Sequence, residues 1–195
     1  RSVDPATGKT QWQWDSTPPA GTPNTTTGGM TWMTGTYDPT LNLIYWGTGN
    51  PTPVLSGVTR PGNNPYTCSI VALNPDTGKL AWAFQVSPHD THDWDATEVP
   101  VLVDGTIDGK PRKLLAQANR NGYYFLLDRT NGKVLVTKPF IHANWAKGIN
   151  EKGQPIPDPA QDPIVGGALV TPTSDGAANF PAPSFSPDTG LLYVN

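Results

Sequence analysis

Charge is scarce in this chain. Asp, Glu, Lys and Arg supply 15% of its 195 residues, and the net charge is only −3. Without a basic excess there is no electrostatic footprint for nucleic acid, which is therefore not an expected partner. No apolar run approaches the roughly 18 residues of a membrane helix, so these residues are not expected to form an integral membrane protein. No signal-peptide pattern opens the sequence. Cysteine is reduced to Cys68, which has no internal disulfide partner and fixes no redox compartment.

Turn formers and tryptophan are what the chain has in excess. Twenty Gly and 22 Pro together exceed a fifth of the residues, a composition bordering on disorder. Seven Trp argue against disorder, because a disordered segment has no means to bury such large side chains. Short strands joined by many Pro/Gly turns remain, an all-β class. The chain begins inside a repeat, at Arg1-Ser2-Val3-Asp4, and ends in an apparent strand, Leu191-Leu192-Tyr193-Val194. It is expected to be one partial domain over residues 1–195, truncated at both ends.

One phrase recurs. Asp4-Pro5-Ala6-Thr7-Gly8-Lys9-Thr10-Gln11-Trp12 returns as Asn74-Pro75-Asp76-Thr77-Gly78-Lys79-Leu80-Ala81-Trp82, with looser copies starting at Asp38, Asp128 and Ser186. Each copy reads as a hairpin. Asp or Asn, Pro and Thr open a tight turn, Gly supplies the residue that tolerates positive φ, and the next strand carries Trp or another large apolar side chain into the core. Repetition of such a unit marks a β-propeller. A β-sandwich with repetitive turns is the competing architecture, and two near-identical nonapeptides ending in Trp favour the propeller. Residues 51–65, 86–98 and about 139–180 interrupt the repeat as polar loops, long enough to suggest a site built on one face.

The densest polar cluster is His89-Asp90-Thr91-His92-Asp93-Trp94-Asp95. Asp93 and Asp95 are two residues apart, so in an extended segment both carboxylates point the same way. Convergent carboxylates suit a hard cation such as Ca2+. His89 and His92 lack the Cys pairing or spacing of a zinc site. By itself the segment also reads as a hydrated acidic loop. A second cluster, Gly47-Thr48-Gly49-Asn50-Pro51, follows an apparent strand and presents Asn50 as a neutral oxygen donor, although alone it is equally a structural turn.

Taken together, these segments resemble a family, the pyrroloquinoline quinone (PQQ)-dependent alcohol dehydrogenases, which include the bacterial methanol dehydrogenases. The resemblance runs from about Met30 to the end. It rests on Tyr37-Asp38-Pro39, Trp46 through Pro53, Arg60-Pro61-Gly62-Asn63-Asn64, Pro88 through Asp93, Arg120-Asn121-Gly122, Leu127 through Thr130, and Asn179 through Pro187. It implies an eight-bladed propeller, of which this chain would form about four blades, with the quinone at the axis. It also implies oxidation of a primary alcohol to an aldehyde. Asn50 would ligate the metal, and Asp93 would stand beside metal and quinone as the catalytic base. Trp32 would stack on the quinone plane, and Arg120 and Asn179 would contact the quinone.

Asp95 stands where lanthanide-using relatives carry an extra aspartate and calcium-using ones a small non-acidic residue. A trivalent ion gains more from an added carboxylate than a divalent one. The implied cofactors are therefore PQQ with a lanthanide(III), or else Ca2+. The implied partners are a small alcohol and a cytochrome c-type electron acceptor, in the periplasm. The family's metal-binding glutamate and vicinal cysteine pair would lie upstream, so the fragment alone is expected to be inactive. The alternative reading is a non-catalytic propeller acting as an outer-membrane assembly scaffold. Such a protein would keep the repeats but has no reason to keep Asn50, Asp93 and Arg120 together.

Overall fold

The computed structural model describes residues 1–17 and 27–195, and in them regular structure is almost entirely strand. Strands β1 (Ser2–Val3) and β2 (Thr10–Trp12) form an antiparallel pair across the first copy of the phrase. Strand β3 (Thr27–Gly28) pairs with the later β6 (Pro51–Thr52). Between and after them, β4 (Thr36–Asp38), β5 (Leu43–Gly47), β7 (Ser69–Leu73) and β8 (Leu80–Gln85) make a four-stranded antiparallel blade. A second blade follows as β9 (Val101–Ile107), β10 (Lys110–Ala118), β11 (Tyr123–Asp128) and β12 (Lys133–Pro139). Two further pairs complete the chain, β13 (Ala146–Ile149) with β14 (Pro155–Pro157) and β15 (Ser184–Ser186) with β16 (Leu191–Tyr193).

Every copy of the phrase is a hairpin turn, but the copies occupy different places. Those at 4, 74 and 128 close a last hairpin, whereas Asp38 and Ser186 open a first one. The uneven spacing follows, because Asp38 and Asn74 mark two turns of one blade. Asp108-Gly109 makes the corresponding β9–β10 turn without the phrase, using positive φ at both residues. In each copy the leading side chain stabilises its own turn. Asp4 Oδ1 accepts the N–H groups of Ala6 and Thr7, and Asn74 Oδ1 those of Asp76 and Thr77.

The repeated tryptophans join one blade to the next. Trp12 Nε1 donates to Pro75 O at 2.6 Å, and a methyl group at Gly78 would lie 2.5 Å from the Trp12 ring. Trp82 does the same one blade later, donating to Arg129 O at 3.1 Å over Gly132. Both rings are half-buried at seams between sheets, and Trp82 also packs against the core, its ring 5.6 Å from that of Tyr45. Trp46 departs from the pattern and bonds Met33 O beside its own strand.

The core lies between the two full blades. Tyr45, Ile70 and Phe84 from the first meet Leu115, Phe125 and Leu127 from the second. Strand β7, Ser-Ile-Val-Ala-Leu, is buried on both faces, so its sequence does not alternate. Arg129 crosses the seam: its guanidinium donates to Asp38 Oδ2 at 2.7 Å and to the carbonyls of Val103 and Leu114. Tyr45 Oη donates to the Arg129 carbonyl.

Candidate functional site

The connection from β8 to β9 holds the acidic cluster, and it is not a hydrated loop. Asp90, Thr91, His92, Trp94, Asp95 and Glu98 are all buried, and Trp94 is completely enclosed. A polar segment can be buried only if its main-chain groups find partners. Here Asp90 provides them: its carboxylate accepts the N–H groups of His92, Asp93 and Trp94 at 3.1–3.3 Å. Burial pushes the Asp90 carboxyl up to about 7 against these hydrogen bonds. The His92 ring stacks on Trp94 at 4.3 Å, and its Nε2 pairs with Gln161 O. Trp94 in turn leans on Trp145 and donates to Thr173 O.

Asp93 is left at the edge of this packed loop, half-exposed, with φ +66°. The segment is therefore not extended, as two-residue spacing alone suggests. Asp93 and Asp95 nevertheless reach one guanidinium, because the left-handed residue turns the chain between them. Arg120 Nη2 lies 3.6 Å from Asp93 Oδ2, and Arg120 Nη1 lies 3.7 Å from Asp95 Oδ2.

The strand end carrying Asn50 approaches from the first blade. A methyl group at Gly47 would lie 1.8 Å from Ala96 O, and one at Gly49 would lie 3.1 Å from Asp95 Oδ1. These two glycines therefore serve close approach more than turning. Ala96 N–H donates to Thr48 O at 2.9 Å, and Asn50 N–H to Asp95 Oδ1 at 2.5 Å. The Asn50 side chain rests beside the site, its Nδ2 donating to Pro51 O. Trp32 donates its indole N–H to Asp95 Oδ2 at 2.6 Å while the residue stays 43% exposed. Trp32 is thus a surface ring beside the carboxylates and not a core tryptophan.

Arg120 sits in the β10–β11 turn and is fixed from behind. Its Nε donates to Ser174 O at 3.0 Å, and its own carbonyl accepts Ala177 N–H at 3.0 Å. Gly176 lies against its side chain, where a methyl group would meet Cγ at 2.1 Å. Glu98, buried beneath, accepts the Arg120 N–H at 3.1 Å and Asn119 Nδ2 at 3.0 Å. Burial raises the Glu98 carboxyl well above its ordinary value. Burial also raises Asp93; Arg120 opposes the shift and the Asp95 charge adds to it.

Of the six residues singled out in the sequence, five meet here: Trp32, Asn50, Asp93, Asp95 and Arg120. Asn179 stays on the flanking loop, where Nδ2 donates to Asp175 O and Oδ1 accepts the Phe180 N–H. The sequence reading missed Glu98 and the part played by Asp90. An acid in the largely apolar run Ala96-Thr97-Glu98-Val99-Pro100-Val101 was the available signal for Glu98. For Asp90 there was none beyond its place in the cluster.

The residues present suit a hard cation and a flat ligand. Two carboxylates face one guanidinium, which leaves an excess of negative charge. An ionised carboxylate has about four lone-pair sites, so Asp95 keeps acceptor capacity beyond the Trp32 and Asn50 N–H groups. Among the described residues no group of three or more His, Cys, Asp and Glu forms a metal site. Even with both carboxylates bidentate, Asn50, Asp93 and Asp95 offer five side-chain oxygens against the six to eight that Ca2+ takes, so further ligands must come from outside this set.

A family model described as the PQQ glucose/ethanol/alcohol dehydrogenase β-propeller domain matches residues 1–164. The chain belongs to this quinoprotein family. It is 44% identical over 174 residues to the quinohemoprotein alcohol dehydrogenase ADH IIB of Pseudomonas putida, covering 86% of this chain and 25% of that protein. It is 39% identical over 170 residues to a lanthanide-dependent methanol dehydrogenase of Methylacidiphilum fumariolicum, covering 86% and 28%. Among solved structures, the quinohemoprotein alcohol dehydrogenase of Comamonas testosteroni superposes with a TM-score of 0.79 at 44% identity, covering 86% and 25%. A europium-containing methanol dehydrogenase superposes with a TM-score of 0.79 at 37% identity, covering 85% and 29%. This quinoprotein chain thus spans about a quarter of the length of the relatives it matches. No helix among its described residues is long and apolar enough to cross a membrane.

Proposed function

We propose that the protein to which this chain belongs oxidises a primary alcohol to an aldehyde, with PQQ and a bound cation at the Asp93–Asp95–Arg120 cluster. The observation that carries this reading is the meeting of two carboxylates on one guanidinium beside the exposed Trp32 ring. When bound, the quinone supplies a two-electron acceptor and the cation a Lewis acid. Asn50 Oδ1 and the carboxylates of Asp93 and Asp95 would hold the cation. Trp32 would offer its free face to the planar cofactor, and the Arg120 fork would face its oxygens. Asn179 is the weakest cofactor contact of the set, because its amide is engaged within its own turn.

Asp93 is the general base in this reading. Its Oδ would take the substrate hydroxyl proton, and the quinone, when bound, would supply the acceptor for the hydride of the carbinol carbon. Partial burial raises its proton affinity, Arg120 opposes that rise, and the ion pair aims the carboxylate. Asp95 favours a lanthanide(III) over Ca2+, because a second carboxylate adds more to the binding of a trivalent ion. Electrons would pass to a cytochrome c-type carrier in the periplasm.

The test uses the full-length protein, stripped of metal, reconstituted with PQQ and assayed for dye-linked oxidation of methanol and ethanol. Activity with lanthanum that disappears in Asp95→Ala is the expected result. Activity with calcium alone would keep the dehydrogenase and discard the lanthanide assignment. Absence of both activity and bound quinone under either metal would leave the assembly scaffold.

A further inference from the structure

We propose that Asp90 is the positioning residue of this site: its buried carboxylate sets the backbone of Asp93, and buried Arg60 fixes Asp90. Neither residue is among the five that meet at the site, Trp32, Asn50, Asp93, Asp95 and Arg120. Asp90 is 3% exposed and Arg60 2%. The inference rests on the proposed function only in naming Asp93 as the reacting base.

Asp93 needs such a device. A non-glycine residue at φ +66° occupies a sparsely populated region, and such a conformation persists only where its surroundings over-determine it. Here three successive N–H groups, those of His92, Asp93 and Trp94, converge on one carboxylate at 3.1–3.3 Å. Successive main-chain N–H groups turned inward form a concave anion site, and Asp90 fills it from within the chain. Without that carboxylate, three N–H groups would lose their shared acceptor, those of His92 and Trp94 in a buried setting, and the segment would rearrange to satisfy them.

Arg60 supplies the next link, from the loop between β6 and β7. Its Nη2 donates to the main-chain carbonyl of Asp90 and, at 3.1 Å, to Val54 O. Its Nε donates to Pro53 O at 2.8 Å, and Nη1 to Asn64 Oδ1 at 2.7 Å. His89, directly before Asp90, adds a second tie, with its N–H on Asn63 O and its Nδ1 on Gly62 O. The segment Arg60-Pro61-Gly62-Asn63-Asn64 thereby acquires a purpose: it buckles the acidic loop to the first blade.

The experiment compares Asp90→Ala, Asp90→Asn and Asn74→Ala in the full-length, cofactor-loaded protein. Asn74 caps an exposed turn with the same kind of hydrogen bonds, far from the cluster, and serves as the control. Misplacing a reacting group by about 1 Å can cost about 100-fold in rate, so Asp90→Ala should lose kcat by about that factor while KM moves less than about threefold. Asp90→Asn keeps one acceptor oxygen and should recover about tenfold of that loss. Asn74→Ala should leave kcat unchanged.

A crystal structure of Asp90→Ala decides the matter independently of turnover. Asp93 should leave the left-handed region and lose its contact with Arg120. Retention of both would overturn the proposal whatever the activity, and so would unchanged kcat in Asp90→Ala. An inactive wild-type protein would count against the dehydrogenase reading alone, since the structural comparison still tests the clamp.

Discussion

The hairpin turns and the 86–98 loop use the same local device in opposite settings. In the turns, Asp4, Asp38 and Asn74 each accept the N–H groups two and three residues on. In the loop, Asp90 accepts those two, four and, through its other oxygen, three residues on. Around Asp4 the turn is open to solvent and reverses the chain, and the Asn74 turn adds only a docking place for the Trp12 ring. Around Asp90 the turn is sealed by Trp94, Trp145 and the second blade. The same hydrogen bonds there hold the backbone of Asp93, the proposed base, where water is poorly placed to substitute for a lost partner.

The comparison breaks most visibly if the seal is removed. Trp94→Ala should cost about 3–5 kcal/mol of stability, the range for deleting a large buried aromatic, measured by equilibrium denaturation of the full-length protein. A loss near zero would mean that the loop is not held by its core. Next comes Arg129, where one exposed-looking turn reaches across the seam. Arg129→Met leaves buried Asp38 without its guanidinium and should cost about 3 kcal/mol by the same measurement.

Two glycines at the same place in the phrase should separate local from tertiary cost. Gly8 and Gly78 have φ +71° and +69°, yet only Gly78 lies against a tryptophan. Gly8→Ala should lose about 1 kcal/mol from backbone strain alone. Gly78→Ala should lose about 1 kcal/mol more, because the Trp12 ring must move. Equal losses would show that the inter-blade contact contributes nothing.

The smallest effect is confined to acid. Burial raises Asp38, but Arg129 and the N–H groups of Leu41 and Thr40 outweigh it and hold the carboxyl below its ordinary 3.8. At Asp128, burial is likewise outweighed, by Thr130 and Arg112. Folded values below unfolded ones mean that this stabilisation is complete above about pH 4 and is lost as pH falls through the folded values. Acid titration of stability should therefore steepen below pH 4 in the wild type and flatten in the Asp38→Asn, Asp128→Asn double variant.

The sequence carried the hairpins because their chemistry is short-range. Asp or Asn, Pro, Thr and Gly at fixed offsets act within six residues, so the pattern survives being read as a string. Resemblance and the density of charge around Asp93 singled out six candidate residues, five of which the structure brings together. The sequence did not carry Asp90 as a clamp, Glu98 as the support beneath Arg120, or Gly47 and Gly49 as points of close approach. Each of those depends on a partner from another blade or loop.

The amino-acid order by itself determined an all-β repeat, the positions of its turns and the acidic character of one long connection, because these follow from local propensity and side-chain type. Only the tertiary structure decided that the acidic connection is dry, that Asp93 turns left-handed, and that Trp32, Asn50 and Arg120 meet at Asp95. Burial, close approach and the sign of a pKa shift are set by neighbours distant in sequence. The same aspartate that would be a solvated cap in a hairpin becomes, beneath Trp94, the support of the site.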